Sequence, residues 1–231
     1  VQANGQHVAG FYENQLYVWT MTEFLNGAAI PMVRRTYESY IKQVGWSKNN
    51  EYLFVRYGQL DRILFESFDI RTVGTVKNAK CSFGTTGTKV VCGGAVYEIV
   101  SEGTATEQNI FIADYTTAAW SPNEDYVALA KQKSIAILST QGYVQMALPV
   151  LGPMENSEGS PQVWEDTPEI AWVNDATVRV YVRTANPKPH LSHQKTIHPL
   201  EYSLVFGMWT VQRLDTVPDV DYFTIHQGEI K

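Results

Sequence analysis

The sequence predicts an all-β fold built from repeated four-stranded antiparallel units. Three observations support this. A three-residue pattern, or triplet, recurs before a polar turn and an apolar strand. It consists of one apolar or small residue, one small residue and one aromatic residue. Its aromatic members are spaced by 35, 37, 37 and 52 residues, at Phe11, Trp46, Phe83, Trp120 and Trp172. Aromatic residues make up 12% of the 231 residues, and helical periodicity is nearly absent. Short strands repeating at this period are typical of a β-propeller.

The predicted units begin near residues 9, 44, 81, 118 and 170, which gives five blades in a single domain covering residues 1–231. The interval after Trp120 is longer because an insertion at 151–168 interrupts the repeat. A four-stranded sheet of about 37 residues cannot bury its two faces alone. We therefore expect neighbouring blades to pack face to face, with the triplet aromatics at the interfaces.

Individual strands follow from alternating apolar residues bounded by turn residues. The unit that starts near 118 predicts strands at 116–121, 126–132, 133–140 and 143–150. The second unit predicts its middle strands at 52–57 and 62–69. The last unit predicts strands at 169–173, 176–184, 201–209 and 210–217, with a long connection at 185–200. Segment 32–44 suits a short helix or a strand, and 219–227 is a candidate strand for completing the first blade.

Two insertions are candidate partner-binding loops, because long excursions from a compact domain are often functional. They cover 151–168 and 184–199. The first combines acidic residues with a tryptophan, the residue type that dominates interface hot spots. Its predicted contact residues are Met154, Glu155, Glu158, Trp164, Glu165 and Asp166. A calcium loop and a plain surface excursion are the alternatives, and Trp164→Ala is expected to weaken partner binding without unfolding the domain.

The second insertion carries three of the five histidines, His190, His193 and His198. Imidazoles this close in sequence are candidate ligands for zinc or nickel. Their spacing matches no standard metal site, so a solvated connection between strands or a partner-contact loop are the alternatives. No other cofactor is expected.

Cys81 and Cys92 flank a Thr-Thr-Gly turn signal whose midpoint lies halfway between them. A hairpin centred on that turn places them opposite each other, within reach of a disulfide. The alternative is a pair of buried thiols in a reducing compartment. A disulfide would favour an extracytoplasmic location.

Residues 120–128, WSPNEDYVA, resemble the repeat of WD40-like β-propellers of the TolB and dipeptidyl-peptidase-propeller type. That repeat reads Trp-Ser-Pro-Asp-Gly-Lys before an apolar strand. Residues 46–50 match it in part, and residues 83–87 and 172–175 match it less well. The resemblance covers about 40–210 and implies a propeller architecture. The Trp-Asp dipeptide of classical WD40 repeats is absent, and so is any peptidase catalytic domain.

Charge and motifs restrict the function. The net charge is −6, and residues 101–231 carry eight basic against sixteen acidic residues. We therefore expect no nucleic-acid partner, because phosphate binding needs a clustered cationic surface. No apolar stretch reaches the 18 residues of a membrane-spanning helix.

Nucleophile-elbow, phosphate-loop and zinc-protease motifs are all missing. A glycosidase would need paired carboxylates, for which Asp69, Asp114 and Asp175 are candidates.

These observations favour a non-catalytic protein-interaction scaffold that binds partners through loops at the rim of a propeller. One alternative is a carbohydrate-binding or glycoside-hydrolysing propeller. A second is a structural component of a large assembly, such as a phage tail or a secretion machine.

Overall fold

Strands dominate the part of the chain that the computed structural model describes. This part comprises residues 2–47, 51–65, 67, 69–75, 81–92, 95–99, 105–109, 115, 117–131, 134–149, 168–185, 195–220, 225–226 and 229–230. One short helix occurs within it, α1 (Met21–Leu25). The chain divides into two compact units, Val1–Phe111 and Ile112–Lys231.

The first unit contains three four-stranded antiparallel sheets, each with its strands hydrogen-bonded in chain order. Sheet 1 consists of β1 (Gln2–Ala3), β2 (His7–Tyr12), β3 (Gln15–Thr20) and β4 (Val33–Thr36). Sheet 2 consists of β5 (Gln43–Trp46), β6 (Tyr52–Arg56), β7 (Gln59–Leu64) and β8 (Asp69–Thr75). Sheet 3 consists of β9 (Cys81–Phe83), β10 (Lys89–Cys92), β11 (Ala95–Ile99) and β12 (Ala105–Asn109).

The second unit contains two further sheets of the same kind. Sheet 4 consists of β13 (Thr117–Trp120), β14 (Tyr126–Lys131), β15 (Ser134–Ser139) and β16 (Val144–Gln145). Sheet 5 consists of β17 (Glu169–Asn174), β18 (Thr177–Ala185), β19 (Lys195–Val205) and β20 (Met208–Arg213), and β21 (Val217–Val220) also pairs with β19. A separate hairpin joins β22 (Ile225–His226) to β23 (Glu229–Ile230). The prediction of an all-β fold with four-stranded antiparallel units is confirmed.

Several sequence-based boundaries differ from the structure. The triplet at 9–11 lies in the second strand of its sheet, because β1 precedes it. The predicted connection at 185–200 ends earlier, since β19 begins at Lys195 and pairs with β18 from Lys195 to Ser203. Segment 32–44 contains β4 and no helix. The described parts of the tail at 219–227 pair with β19 and β23, not with sheet 1.

Sheet 2 buries both of its faces within the first unit. Leu53 and Ile63 on one face pack in a cluster with Leu16 of sheet 1. Phe54 on the other face packs in a cluster with Tyr97 of sheet 3. The alternation of side chains along β6 places neighbouring residues on opposite faces. Each apolar residue of this strand therefore contributes to one of the two interfaces.

The first strands of sheets 2 and 3 are joined by two contacts. The Gln43 side chain donates from Nε2 to the Cys81 carbonyl over 2.7 Å and accepts from the Cys81 amide over 2.9 Å. The Phe83 ring covers the Gly45 backbone so closely that a Cβ on Gly45 would lie 2.6 Å from its Cδ2 and closer still to Cε2. The same ring stacks on Phe54 at 4.5 Å between centroids.

Sheets 4 and 5 repeat this arrangement in the second unit. Trp172 of the later triplet reaches Ala119, the small middle residue of the earlier triplet, and its Nε1 donates to the Ala119 carbonyl over 2.9 Å. Ile137 of sheet 4 is fully buried in one cluster with Val178 and Leu200 of sheet 5. Phe83 and Trp172 therefore pack between neighbouring sheets, as the repeat predicts, whereas Phe11 of the first triplet is 38% exposed.

A buried serine after the triplet aromatic closes the first turn in sheets 2 and 4. Ser47 Oγ accepts from the Tyr52 amide over 3.1 Å. Ser121 Oγ accepts from the Tyr126 amide over 3.0 Å. Both serines are at most 1% exposed. The Trp-Ser pair in the repeat thus has a structural role, because the hydroxyl satisfies a buried amide at the start of the second strand.

Cys81 and Cys92 form a disulfide across β9 and β10, where they are direct cross-strand partners with Cα atoms 4.2 Å apart. The disulfide closes the hairpin that the Thr-Thr-Gly turn predicts.

We predict that Gly45→Ala lowers the free energy of unfolding by about 1–3 kcal/mol, because the added methyl group overlaps the Phe83 ring. Urea denaturation followed by tryptophan fluorescence measures this change. In a Phe83→Leu background the same substitution should cost at least about 0.5 kcal/mol less, since the smaller side chain can move aside. Equal costs in both backgrounds would show that the contact does not restrict residue 45.

Candidate functional site

Most of the sequence-predicted site residues lie outside the described part of the chain. This applies to the six predicted partner-contact residues of the 151–168 insertion, to two of the three histidines and to one of the three aspartates: Met154, Glu155, Glu158, Trp164, Glu165, Asp166, His190, His193 and Asp114. Their predicted roles remain predictions.

His198 lies inside sheet 5 and not in a solvated connection. It is 8% exposed on β19, opposite Val182, and its Nε2 lies 2.8 Å from Thr184 Oγ1. Burial lowers the pKa of this imidazole, and the nearby Arg213 charge acts in the same direction. In the ranges that the structure describes, no group of three or more His, Cys, Asp or Glu side chains could hold a metal ion.

The two described aspartates that were candidates for a carboxylate pair have local structural partners. Asp69 at the start of β8 accepts from Arg71 Nε over 3.1 Å. Asp175 lies in the turn between β17 and β18 and accepts from the Asn123 amide over 2.8 Å. Asp69 begins a fourth strand, whereas Asp175 follows a first strand. The two carboxylates therefore occupy different positions in their sheets.

A strongly exposed apolar group lies at the tip of the β19–β20 hairpin, which we call the 205–208 tip. Phe206 is 99% exposed, and the flanking Val205 and Met208 are 42% and 69% exposed. Val205 and Met208 pair directly, so Phe206 and Gly207 alone form the loop. Both loop residues have positive φ, +49° and +80°. Two-residue loops of this kind favour Asn-Gly, so a phenylalanine here is strained as well as exposed.

The 205–208 tip stands on a rigid base. Trp209 is 5% exposed and packs edge-on against Tyr126 and Trp172, with ring centroids 5.5 Å and 6.1 Å away. Glu201 accepts from Arg179 Nε and from Gln212 Nε2, each over 2.8 Å, which joins β18, β19 and β20 of sheet 5. The hairpin that carries Phe206 is therefore anchored in sheet 5, so binding at its tip would require little ordering of the backbone.

A second exposed apolar group lies in the β3–β4 connection of sheet 1. Helix α1 begins with a capping box in which Thr20 and Glu23 satisfy each other's backbone amides. The apolar residues of this connection are between 42% and 83% exposed: Phe24, Leu25, Ile30 and Met32. Like the 205–208 tip, this connection joins the third and fourth strands of its sheet. Val144, 61% exposed, follows the corresponding connection of sheet 4.

Sequence reasoning missed both groups. The apolar run at 201–209 predicts one strand, and Gly207 is the signal for the turn inside it. The capping residues Thr20 and Glu23 were a usable signal for α1, since this spacing is typical of a helix start.

No protein-family model and no curated protein matches the chain. Solved structures do match it over most of its length. One is a chain of a mitotic checkpoint complex, at 14% identity and a TM-score of 0.57 over 98% of this chain and 79% of that chain. Another is a functionally unknown protein from Desulfotomaculum acetoxidans DSM 771, at 13% identity and a TM-score of 0.62 over 94% and 68%. A third is hydrazine synthase from Kuenenia stuttgartiensis, at 10% identity and a TM-score of 0.59 over 87% and 60%.

At these identities the likeness concerns the fold alone. It places this chain among all-β proteins whose functions differ widely, so function has to be argued from the surfaces of this chain. None of the helices in the described residues has the length and hydropathy needed to cross a membrane.

We predict that His198 destabilises the fold in mild acid. Its pKa is lower in the folded chain than the 6.5 of an exposed imidazole, so the unfolded chain binds the proton first. The free energy of unfolding should fall as the pH decreases below about 6.5, and the fall should end once His198 protonates in the folded state. Urea denaturation at a series of pH values measures this. His198→Gln, which retains a polar partner for Thr184, should show a smaller fall, and equal falls would contradict the assignment.

Proposed function

We propose that the five sheets are the blades of a β-propeller and that the chain is a non-catalytic protein-interaction scaffold. Partners bind at the connections between third and fourth strands, chiefly at the 205–208 tip. The five sheets with one strand order and the fold likeness to a chain of a mitotic checkpoint complex support the propeller. The observation that carries the scaffold function is the fully exposed, strained Phe206 on a rigid base.

The net charge of the second unit limits the kind of partner that can bind at the 205–208 tip. Residues 112–231 carry fourteen acidic against eight basic residues. This balance disfavours nucleic acid and anionic membranes, both of which attract cationic surfaces. It favours a protein with an apolar recess for Phe206, bordered by lysine and arginine side chains.

The Cys81–Cys92 disulfide supports a location in an oxidising compartment, because cytosolic thiols are kept reduced. We therefore propose that the scaffold acts outside the cytoplasm.

Phe206→Asn tests the proposal sharply, because it creates the Asn-Gly loop that this turn favours. We expect the free energy of unfolding to rise by about 1 kcal/mol as the backbone strain is relieved. Binding to the partner should weaken about 30-fold, the loss expected for a 2 kcal/mol hot spot. Partners are captured from an extract of the native source on the immobilised chain, identified by mass spectrometry and titrated by calorimetry.

The matched control is Tyr12→Asn, since Tyr12 is 70% exposed beside a different hairpin turn, between β2 and β3. This variant should bind as the unaltered chain does. Unchanged capture by the Phe206→Asn chain would overturn the assignment of the tip. Capture of glycans instead of protein would favour the carbohydrate-binding alternative.

A further inference from the structure

A small open pocket lies on one face of sheet 2, separate from the exposed connections. Its volume is about 100 Å³, and its lining residues are Tyr52, Arg62, Leu64, Asp69 and Arg71. The strand register explains why they meet. Leu64 pairs with Tyr52 on one side and Asp69 on the other, and Arg62 pairs with Arg71. Directly paired residues share a face of the sheet, so these five side chains project together.

The pairing of Arg62 with Arg71 opposes two like charges across neighbouring strands. Such pairs are destabilising, because the two charges repel at short range. Asp69 offsets one of them, since its Oδ2 accepts from Arg71 Nε over 3.1 Å. The carboxylate and guanidinium of that pair are 52% and 42% exposed. Among the described lining residues, two guanidinium groups thus share one carboxylate, which leaves one positive charge in excess.

That charge belongs to Arg62, which is only 7% exposed. Its guanidinium carbon lies 4.6 Å from the centre of the Tyr52 ring, a cation–π contact that holds the side chain in place. Among the described residues, the guanidinium has no hydrogen-bonding acceptor. Burial lowers the pKa of Arg62 and the nearby charge of Arg71 acts in the same direction, whereas Tyr52 and Asp69 raise it. A buried charge that is only partly compensated costs stability, and an anion in the pocket would lower that cost.

We propose that this pocket is a carboxylate-binding site in which Arg62 and Arg71 hold one carboxylate group. A guanidinium presents its N–H groups in a fork that matches the two oxygens of a carboxylate. Leu64 supplies an apolar wall and Tyr52 fixes the orientation of Arg62. The group that occupies the site is the carboxylate of an acidic side chain or of a chain terminus.

The charge balance of the pocket selects a carboxylate over a phosphate. Two guanidinium groups and one carboxylate give the lining residues a net charge of +1. A bound carboxylate neutralises it, whereas a phosphate dianion would leave an excess negative charge beside Asp69. Binding at this pocket does not depend on the proposed scaffold function, since its test uses the isolated chain and a small molecule.

Acetate is the probe for the test, and the arginine Nε–Hε signals in ¹⁵N NMR spectra are the readout. At constant ionic strength, acetate should shift the signals of Arg62 and Arg71 in a saturable way, with a dissociation constant of about 1–10 mM. Acetamide has the same size without the charge and should cause no saturable shift. Absence of saturation with acetate, or equal shifts with acetamide, would overturn the proposal.

The Arg62→Met variant tests whether Arg62 binds the anion or only contributes to the stability of the fold. Acetate binding, followed at Arg71, should weaken about tenfold or more in this variant. The melting temperature should stay the same or rise, because an apolar side chain of similar length replaces a buried charge that is only partly compensated. Arg56→Met is the matched control, since Arg56 is also 7% exposed on sheet 2 but does not line the pocket. Its acetate affinity should be unchanged, and equal losses in both variants would contradict the site.

Asp69→Asn distinguishes the two kinds of anion. Removing this carboxylate frees Arg71 and raises the net charge of the lining, so the variant should bind inorganic phosphate more tightly than acetate. The unaltered chain should show the opposite order. Tighter binding of phosphate by the unaltered chain would show that the pocket is a phosphate site and overturn the carboxylate assignment.

Discussion

The contact of an aromatic ring with a small residue of the preceding sheet is the constraint on which the rest of the structure depends. Phe83 covers Gly45, and Trp172 donates to the carbonyl of Ala119. In both cases the ring is the last residue of one triplet and the small residue is the middle of the triplet before it. At Gly45 a larger residue would overlap the Phe83 ring, because the first strands of neighbouring sheets meet there. The contact therefore explains why the triplet recurs, and why its spacing follows the length of a four-stranded unit.

This constraint also explains which parts of the fold could be predicted from the sequence. Each triplet combines residue types that few other local structures require, so the units that start near 44, 81, 118 and 170 were recognisable. The triplet at 9–11 satisfies the same pattern by composition, yet it lies in a second strand. The polar start of β19 has the composition of a loop, because Thr184 and His198 satisfy each other inside the sheet. Such a pairing is visible only once the strands are aligned.

The pocket on sheet 2 depends on a feature that periodicity cannot reveal. The register between β7 and β8 shifts between Leu60 and Asp61, so that Val73 is an extra residue on β8. On the hairpin side of this bulge, where Arg62 pairs with Arg71, the register is set by the four-residue connection between Leu64 and Asp69. The approach of two guanidinium groups is thus a consequence of the length of one hairpin connection. A sequence pattern indicated neither the bulge nor the burial of Arg62.

Phe206 and Arg62 share a property that connects the two proposed sites. At each position another residue would give a more stable fold. For Phe206 it is asparagine, which suits a two-residue loop with positive φ, and for Arg62 it is an apolar side chain, which suits a buried strand face. The surrounding structure compensates for both, through the Trp209 base under the hairpin and through the Tyr52 ring beside the guanidinium. Residues that oppose local preferences while their neighbours hold them rigidly are expected at functional positions. The proposed partner contact and the proposed anion site therefore meet the same physical criterion, although the two lie in different units.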